Sequence, residues 1–217
     1  MRVKICCIKT PDELKTVARY GIDCVGFVSN MPSGPGIISD KEIRHLAEAT
    51  PEGVDTFLLT SLTNPEEIIK QQKFCRTKTI QLCNPLEIND LKRLREISGN
   101  VKIVGVVHVL GKDSIIKANE MSRYVDAILL DTGNPCENPQ KLGGTGRIHD
   151  WDISKEICRQ VSNPIFLAGG LNYLNVPSAI EKVHPYGVDI CCGVRTRDDK
   201  LDEEKLKLFL KAIGRIS

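Results

Sequence analysis

Eight short apolar runs recur along the chain, each followed by a stretch with helical amphipathic spacing, and this repeat narrows the possible folds more than any other feature. The runs cover residues 3–8, 24–28, 56–59, 79–83, 102–109, 127–131, 164–168 and 188–192. Between them, Leu14, Val17 and Ala18, or Ile43, Leu46 and Ala47, fall at i, i+3 and i+4, one face of a helix. Helix starts are punctuated in kind. Thr10 precedes Pro11 with Glu13 placed to close a capping box, Ser39 opens the second helix, and Asn64 precedes Pro65. Gly21 is placed to stop the first helix. Later helices are expected to end near residue 97 and to span about 113–123, 152–161, 176–183 and 202–213.

The runs are continuously apolar rather than alternating, as parallel strands covered by helices should be. Eight strand–helix units share 217 residues, roughly 27 each, close to what a βαβ repeat needs. Eight such units close into a (β/α)8 barrel. An open doubly wound sheet would carry a G-x-G-x-x-G turn after its first strand, and none is present. With no linker, low-complexity segment or composition shift, residues 1–217 are expected to form one barrel domain.

Composition excludes several partners. A net charge of +2 without a Lys/Arg run argues against nucleic acid, and 5% aromatic residues argue against a base-stacking surface. No apolar stretch approaches the roughly 20 residues a membrane span needs, and Met-Arg-Val-Lys-Ile-Cys runs straight into structure, so a cytoplasmic location is expected. Nine cysteines, with no C-x-x-C and two adjacent pairs, Cys6-Cys7 and Cys191-Cys192, read as reduced thiols rather than a zinc site. Neither metal nor cofactor is expected.

Barrel chemistry sits at the carboxyl ends of the strands. Those ends carry Cys6 and Cys7, Ser29 and Asn30, Thr60 and Ser61, Cys83 and Asn84, His108, Asp131, Gly169 and Gly170, and residues 191–195. Five of the nine cysteines should therefore converge on one mouth, leaving Cys24, Cys75, Cys136 and Cys158 as filler or loop thiols. Asp131 ends an apolar strand, where a partly desolvated carboxyl can hold its proton for acid–base work; a loop anchor is the plainer reading. Cys6 is its candidate complement. Gly144, Gly169, Gly170, Cys192 and Gly193 mark a phosphate cradle, since glycines after the seventh and eighth strands let backbone N–H groups approach an anion. Residues 143–146 form either a lid over the mouth or a plain loop. His45, His149 and His184 read as surface or capping residues.

Five ordered segments resemble phosphoribosylanthranilate isomerases: Lys4-Ile5-Cys6, Leu129-Leu130-Asp131, Gly143-Gly144-Thr145-Gly146-Arg147 with Asp150-Trp151, Leu167-Ala168-Gly169-Gly170-Leu171 with Asn175-Val176, and Pro185-Tyr186-Gly187-Val188-Asp189. The resemblance spans residue 3 to about 210. It implies an Amadori rearrangement of N-(5-phosphoribosyl)anthranilate in tryptophan biosynthesis, with Asp131 as general acid, Cys6 as general base and no cofactor. The implied partner is a small phosphorylated substrate, and the implied assembly a monomer or homodimer.

Four places depart from the family pattern. Cys7 stands where glycine is usual. Pro32-Ser33-Gly34-Pro35-Gly36 lacks the arginine of the family's Pro-x-Ser-x-Arg. Cys83-Asn84 replaces His-Gly, and Cys191-Cys192-Gly193-Val194-Arg195 replaces Ser-Ser-Gly-Val-Glu. The lost arginine is a carboxylate contact worth about 1.5–3 kcal/mol. Arg195 is the candidate to replace it at the mouth, against a solvated loop residue as the alternative. Two other readings stay open: a paralogue acting on another phosphorylated aminosugar or ketose, and a thiol or soft-metal barrel using Cys6, Cys7, Cys83, Cys191, Cys192 and His108.

Overall fold

The eight apolar runs become eight parallel strands: β1 (Arg2–Ile5), β2 (Cys24–Val28), β3 (Asp55–Thr60), β4 (Thr79–Leu82), β5 (Lys102–His108), β6 (Ala127–Asp131), β7 (Ile165–Leu167) and β8 (Gly187–Ile190). They close in sequence order, β8 pairing with β1, in the computed structural model of the chain. The structure describes residues 1–136, 140, 142–144, 146 and 148–216. The helices between and after the strands are α1 (Pro11–Arg19), α2 (Asp40–Ala49), α3 (Pro65–Cys75), α4 (Ile88–Ile97), α5 (Asp113–Met121), α6 (Trp151–Gln160), α7 (Val176–Val183) and α8 (Glu203–Ala212). This is the (β/α)8 barrel that the repeat implies.

Helix starts follow the local chemistry. The Asn64 side chain accepts from the Glu67 N–H at 3.0 Å, and Ser39 with Glu42 closes a reciprocal capping box. The box expected at α1 does not close. Thr10 caps Glu13, but the Glu13 carboxylate accepts instead from the Lys9 N–H at 2.9 Å and faces Arg195. A long-range ion pair has outcompeted the local one.

β1 and β8 end two or more residues earlier than their apolar runs. Cys6 still bonds Ile190 O at 2.9 Å, but Cys7 turns the chain at φ 65°. At the other end Cys191 leaves the ladder for a short 3-10 turn, Cys192–Val194.

Burial separates into two layers. One cluster, including Val3, Ile5, Val25, Phe27, Leu58 and Ile80, fills the space between barrel and helices. A smaller one fills the lumen with alternate strand residues: Cys24, Phe57, Leu59, Val104, Val106, Leu129 and Phe166. Set among them is a charge pair. The Lys4 ammonium, wholly buried, bonds the Asp189 carboxylate at 2.8 Å across the β1–β8 seam, where the two residues are register partners. The ammonium also stands 5.2 Å over the Phe57 ring. Lys4→Met would strand Asp189 as an isolated buried charge, so denaturant titration should show a loss of about 3–5 kcal/mol. Lys4→Met combined with Asp189→Leu should recover most of it; a double variant as weak as the single would show that isolation of the charge is not the cause.

Candidate active site

One cavity of about 260 Å³ opens at the carboxyl ends of the strands, lined by residues of every strand or the loop after it except β5. All five mouth cysteines line it, as do Asp131, Gly144, Gly169, Gly170 and Gly193. The structure thus brings these residues together at one mouth.

Asp131 ends β6 beside His108 of β5, its register partner. Its Oδ1 accepts from the Thr132 N–H at 2.7 Å. Burial raises the pKa of this carboxyl, against the opposing influence of that bond and of His108. His108 donates from Nε2 to the Cys83 carbonyl at 3.0 Å, and burial lowers its pKa against the opposing influence of that bond and of Asp131. The arrangement favours a carboxylic acid that keeps its proton. The loop after β6 is pressed close above it. A Cβ on Gly143 would lie 2.7 Å from Asp131 Oδ2, and one on Gly144 would lie 2.5 Å from Pro35 Cδ. Of the expected lid and motif residues, Thr145 and Arg147 lie outside the described residues.

Cys6 stands at the end of β1, above Lys4. Both its sulfur and the Lys4 ammonium lie within 3.3 Å of where a Cβ on Gly26 would project, so only a residue without a side chain fits between them. Burial opposes the Lys4 charge, but Asp189 and the Cys6 sulfur outweigh it and raise its pKa. The carboxylate of Asp189 also reaches the cavity, with Oδ1 buried and unpaired among the described residues. Asp189 lines the cavity and Lys4 is paired with it beneath Cys6; the sequence reading passed over both as mere parts of motifs. Opposite charges in the middle of the first and last apolar strands were the available signal.

Between Asp131 and Cys6 around the barrel lie the loops after β7 and β8. Gly169 and Gly170 have φ of 82° and 64°, open to glycine and costly for other residues. The 3-10 turn at Cys192–Val194 leaves its opening N–H groups, those of Cys192 and Gly193, unbonded by the turn itself. No Lys or Arg side chain lines the cavity among the described residues.

Arg195 does not line the cavity and is not a solvated loop residue. It is 4% exposed, pairs with Glu13 at 3.1 Å and donates to Asp199 O at 3.1 Å. It also donates to the carbonyls of Cys6 and Cys7. Its role here is to hold the turn that leaves β1, because a buried guanidinium needs acceptors on all sides. That turn holds Cys7 at positive φ, and Cys7 in turn stands where a Cβ at position 36 would project. A Cβ on Gly36 would lie 2.5 Å from Cys7 Cβ. Among the described residues, no three His, Cys, Asp or Glu side chains are arranged so that they could hold a metal ion.

An eightfold parallel barrel that brings a thiol, a buried carboxyl of raised pKa and glycine-rich turns to one mouth has the frame of a barrel enzyme. The chain belongs to the N-(5′-phosphoribosyl)anthranilate isomerase family, whose model matches residues 3–212. N-(5′-phosphoribosyl)anthranilate isomerase 2 of Methanosarcina mazei is 33% identical over 211 residues, 97% of this chain and 92% of its own. The crystal structure of phosphoribosyl anthranilate isomerase from Thermotoga maritima matches with a TM-score of 0.85 at 28% identity, covering 100% of both chains. A further isomerase structure, in complex with reduced 1-(o-carboxyphenylamino)-1-deoxyribulose 5-phosphate, matches at 0.83 and 26% identity, again over 100% of both.

His149, expected at the surface or as a cap, is instead buried behind Gly169 and bonds Ser154 Oγ at 2.7 Å. Burial lowers its pKa to about 4 from 6.5. Above 6.5 the folded and unfolded chains both hold it neutral; below that the unfolded chain takes the proton first, so this contribution to stability is lost as pH falls from 6.5 to 4. The loss approaches ~3 kcal/mol, from about 1.4 kcal/mol per pKa unit. Stability curves for wild type and His149→Gln should therefore converge by that amount across the interval; parallel curves would exclude the buried neutral imidazole.

Proposed function

We propose that the chain catalyses the Amadori rearrangement of N-(5-phosphoribosyl)anthranilate to 1-(2-carboxyphenylamino)-1-deoxyribulose 5-phosphate, with Asp131 as general acid and Cys6 as general base. The observation that carries this is the order around the mouth: a carboxyl favoured to keep its proton, then the cradle, then a thiol above a buried ammonium. Asp131 gives its proton to the ribose ring oxygen, and the ring opens to a Schiff base. The Cys6 thiolate, facing Lys4, removes the C2 proton. The resulting enol-amine becomes the ketone product. General acid–base steps of this kind contribute about 10²–10⁴-fold each.

The backbone N–H groups of Gly170, Cys192 and Gly193 hold the phosphate in this reading, with Gly144 and Gly169 shaping the cradle. Support comes from the solved relative that holds a reduced 5-phosphate product analogue. The substrate is then a small phosphorylated molecule, as that relative's ligand is.

One observation favours a second reading. Cys7 occupies the space that an arginine side chain at position 36 would need, and Arg195 is turned away to Cys6 and Cys7. A phosphorylated aminosugar without the aryl carboxylate, or a ketose, would lose nothing by this. The discriminating assay follows fluorescence loss from freshly made phosphoribosylanthranilate, paired with growth of a tryptophan auxotroph lacking this step. Turnover in both supports the isomerase; failure of both with folded protein supports the paralogue.

Cys6→Ala and Asp131→Asn should each reduce turnover by at least about 10²-fold while leaving phosphate-ligand affinity within a few-fold, because neither side chain belongs to the cradle. Full activity in either variant would overturn the assignment.

A further inference from the structure

Three thiols meet where the first and last strands leave the barrel, and none has a part in the chemistry above. The Cys7 and Cys191 sulfurs are 2.6 Å apart, yet neither belongs to a disulfide. An S–S bond is about 2.05 Å, so about half an ångström separates this contact from a covalent one. The contact is built into the closure of the barrel. Ile5 and Ile190 are the last register partners of β1 and β8, and Cys6 extends the ladder by bonding Ile190 O at 2.9 Å. Cys7 and Cys191 follow directly on the two strands.

The two sulfurs differ in access and in charge. Cys191 is half-buried at the cavity wall, whereas Cys7 is buried beneath Gly36. Hydrogen bonds from Cys192 and Cys7 lower the Cys191 pKa, Arg195 adds to that effect, and burial opposes it. The same bond to Cys191 raises the Cys7 pKa. Of the contacting pair, Cys191 is thus both the sulfur on which the thiolate is favoured and the more accessible one. Cys192 is exposed, its sulfur 3.3 Å from Gly144 O.

We infer that Cys7 and Cys191 form an oxidation site, at which a small-molecule disulfide converts the two thiols into an intramolecular disulfide across the β1–β8 exit. The Cys191 thiolate attacks one sulfur of the reagent, forming a mixed disulfide and releasing one reagent thiolate, which takes a proton. Cys7 then loses its proton and attacks the Cys191 sulfur, releasing the second reagent thiol. Two protein thiols are oxidised and one reagent disulfide is reduced to two thiols. Cys191 is the attacking residue and Cys7 the resolving one.

The test treats the folded full-length protein with oxidised glutathione, blocks free thiols and maps tryptic peptides without reduction. The expected product links residues 5–9 to residues 183–195, with a mass two hydrogens below the reduced protein. Fragment ions should place the bond at Cys7 and Cys191. Cys7→Gly suits the positive φ at that position, so it should fold, and should stop at a stable mixed disulfide on Cys191. Cys191→Ser should abolish the link altogether. A bond through Cys6 or Cys192, a wild-type protein that retains the mixed disulfide, or one that stays reduced would each overturn the inference. Because the readout is covalent, it stands apart from whether the protein turns over phosphoribosylanthranilate.

Discussion

The barrel closes on a buried ion pair. Lys4 on β1 and Asp189 on β8 face each other across the last seam, 2.8 Å apart. Neither could sit in this lumen without the other, since an isolated ion there would face the full desolvation cost. The pair reaches beyond stability. Asp189 extends to the cavity floor, and the ammonium is the cation beneath Cys6. The contact that joins the ends of the sheet also sets the electrostatics under the candidate base, so strand register and chemistry are tied together.

Above that seam, three departures from the family pattern behave as one coupled change. Cys7 sits at φ 65°, a conformation that costs a residue with a Cβ about 1–2 kcal/mol. Its side chain then occupies the space against Gly36, where an arginine side chain would have to begin. Arg195, placed where the family has a glutamate, bonds the carbonyls of Cys6 and Cys7 and neutralises Glu13. Charge-assisted bonds to both carbonyls offset the strain of the turn. Position 36 is therefore closed by the residue at 7, and position 7 is held by the residue at 195.

The barrel was legible because it depends on repeated local patterns: continuous apolar runs, Pro at the first helical position, and Ser39 or Asn64 as caps. The mouth was legible because strand ends are fixed once the strands are. Arg195 was misplaced for a different reason. Its surroundings come from β1, α1 and the segment after β8, and nothing near residue 195 signals an acid 182 positions away. Glu13 was misread for the same reason, its local cap geometry giving way to that partner. His149 carries no local mark of burial either; the close approach of Gly169 encloses it.

The distribution of charge at the mouth gives the site its direction. Among the described residues no cationic side chain lines the cavity, so an anion bound there is met by backbone N–H groups, which cost no side-chain entropy to position. Burial raises the Asp131 pKa against the opposing influence of the Thr132 N–H, His108 and Lys4. Across the cradle, Cys6 lies above the buried Lys4 ammonium, and the Asp189 carboxylate reaches the cavity floor between the two sides. A phosphorylated sugar anchored by the backbone N–H groups between them would present one end to Asp131 and the other to Cys6. That placement, more than any single side chain, is what the order of the strands imposes.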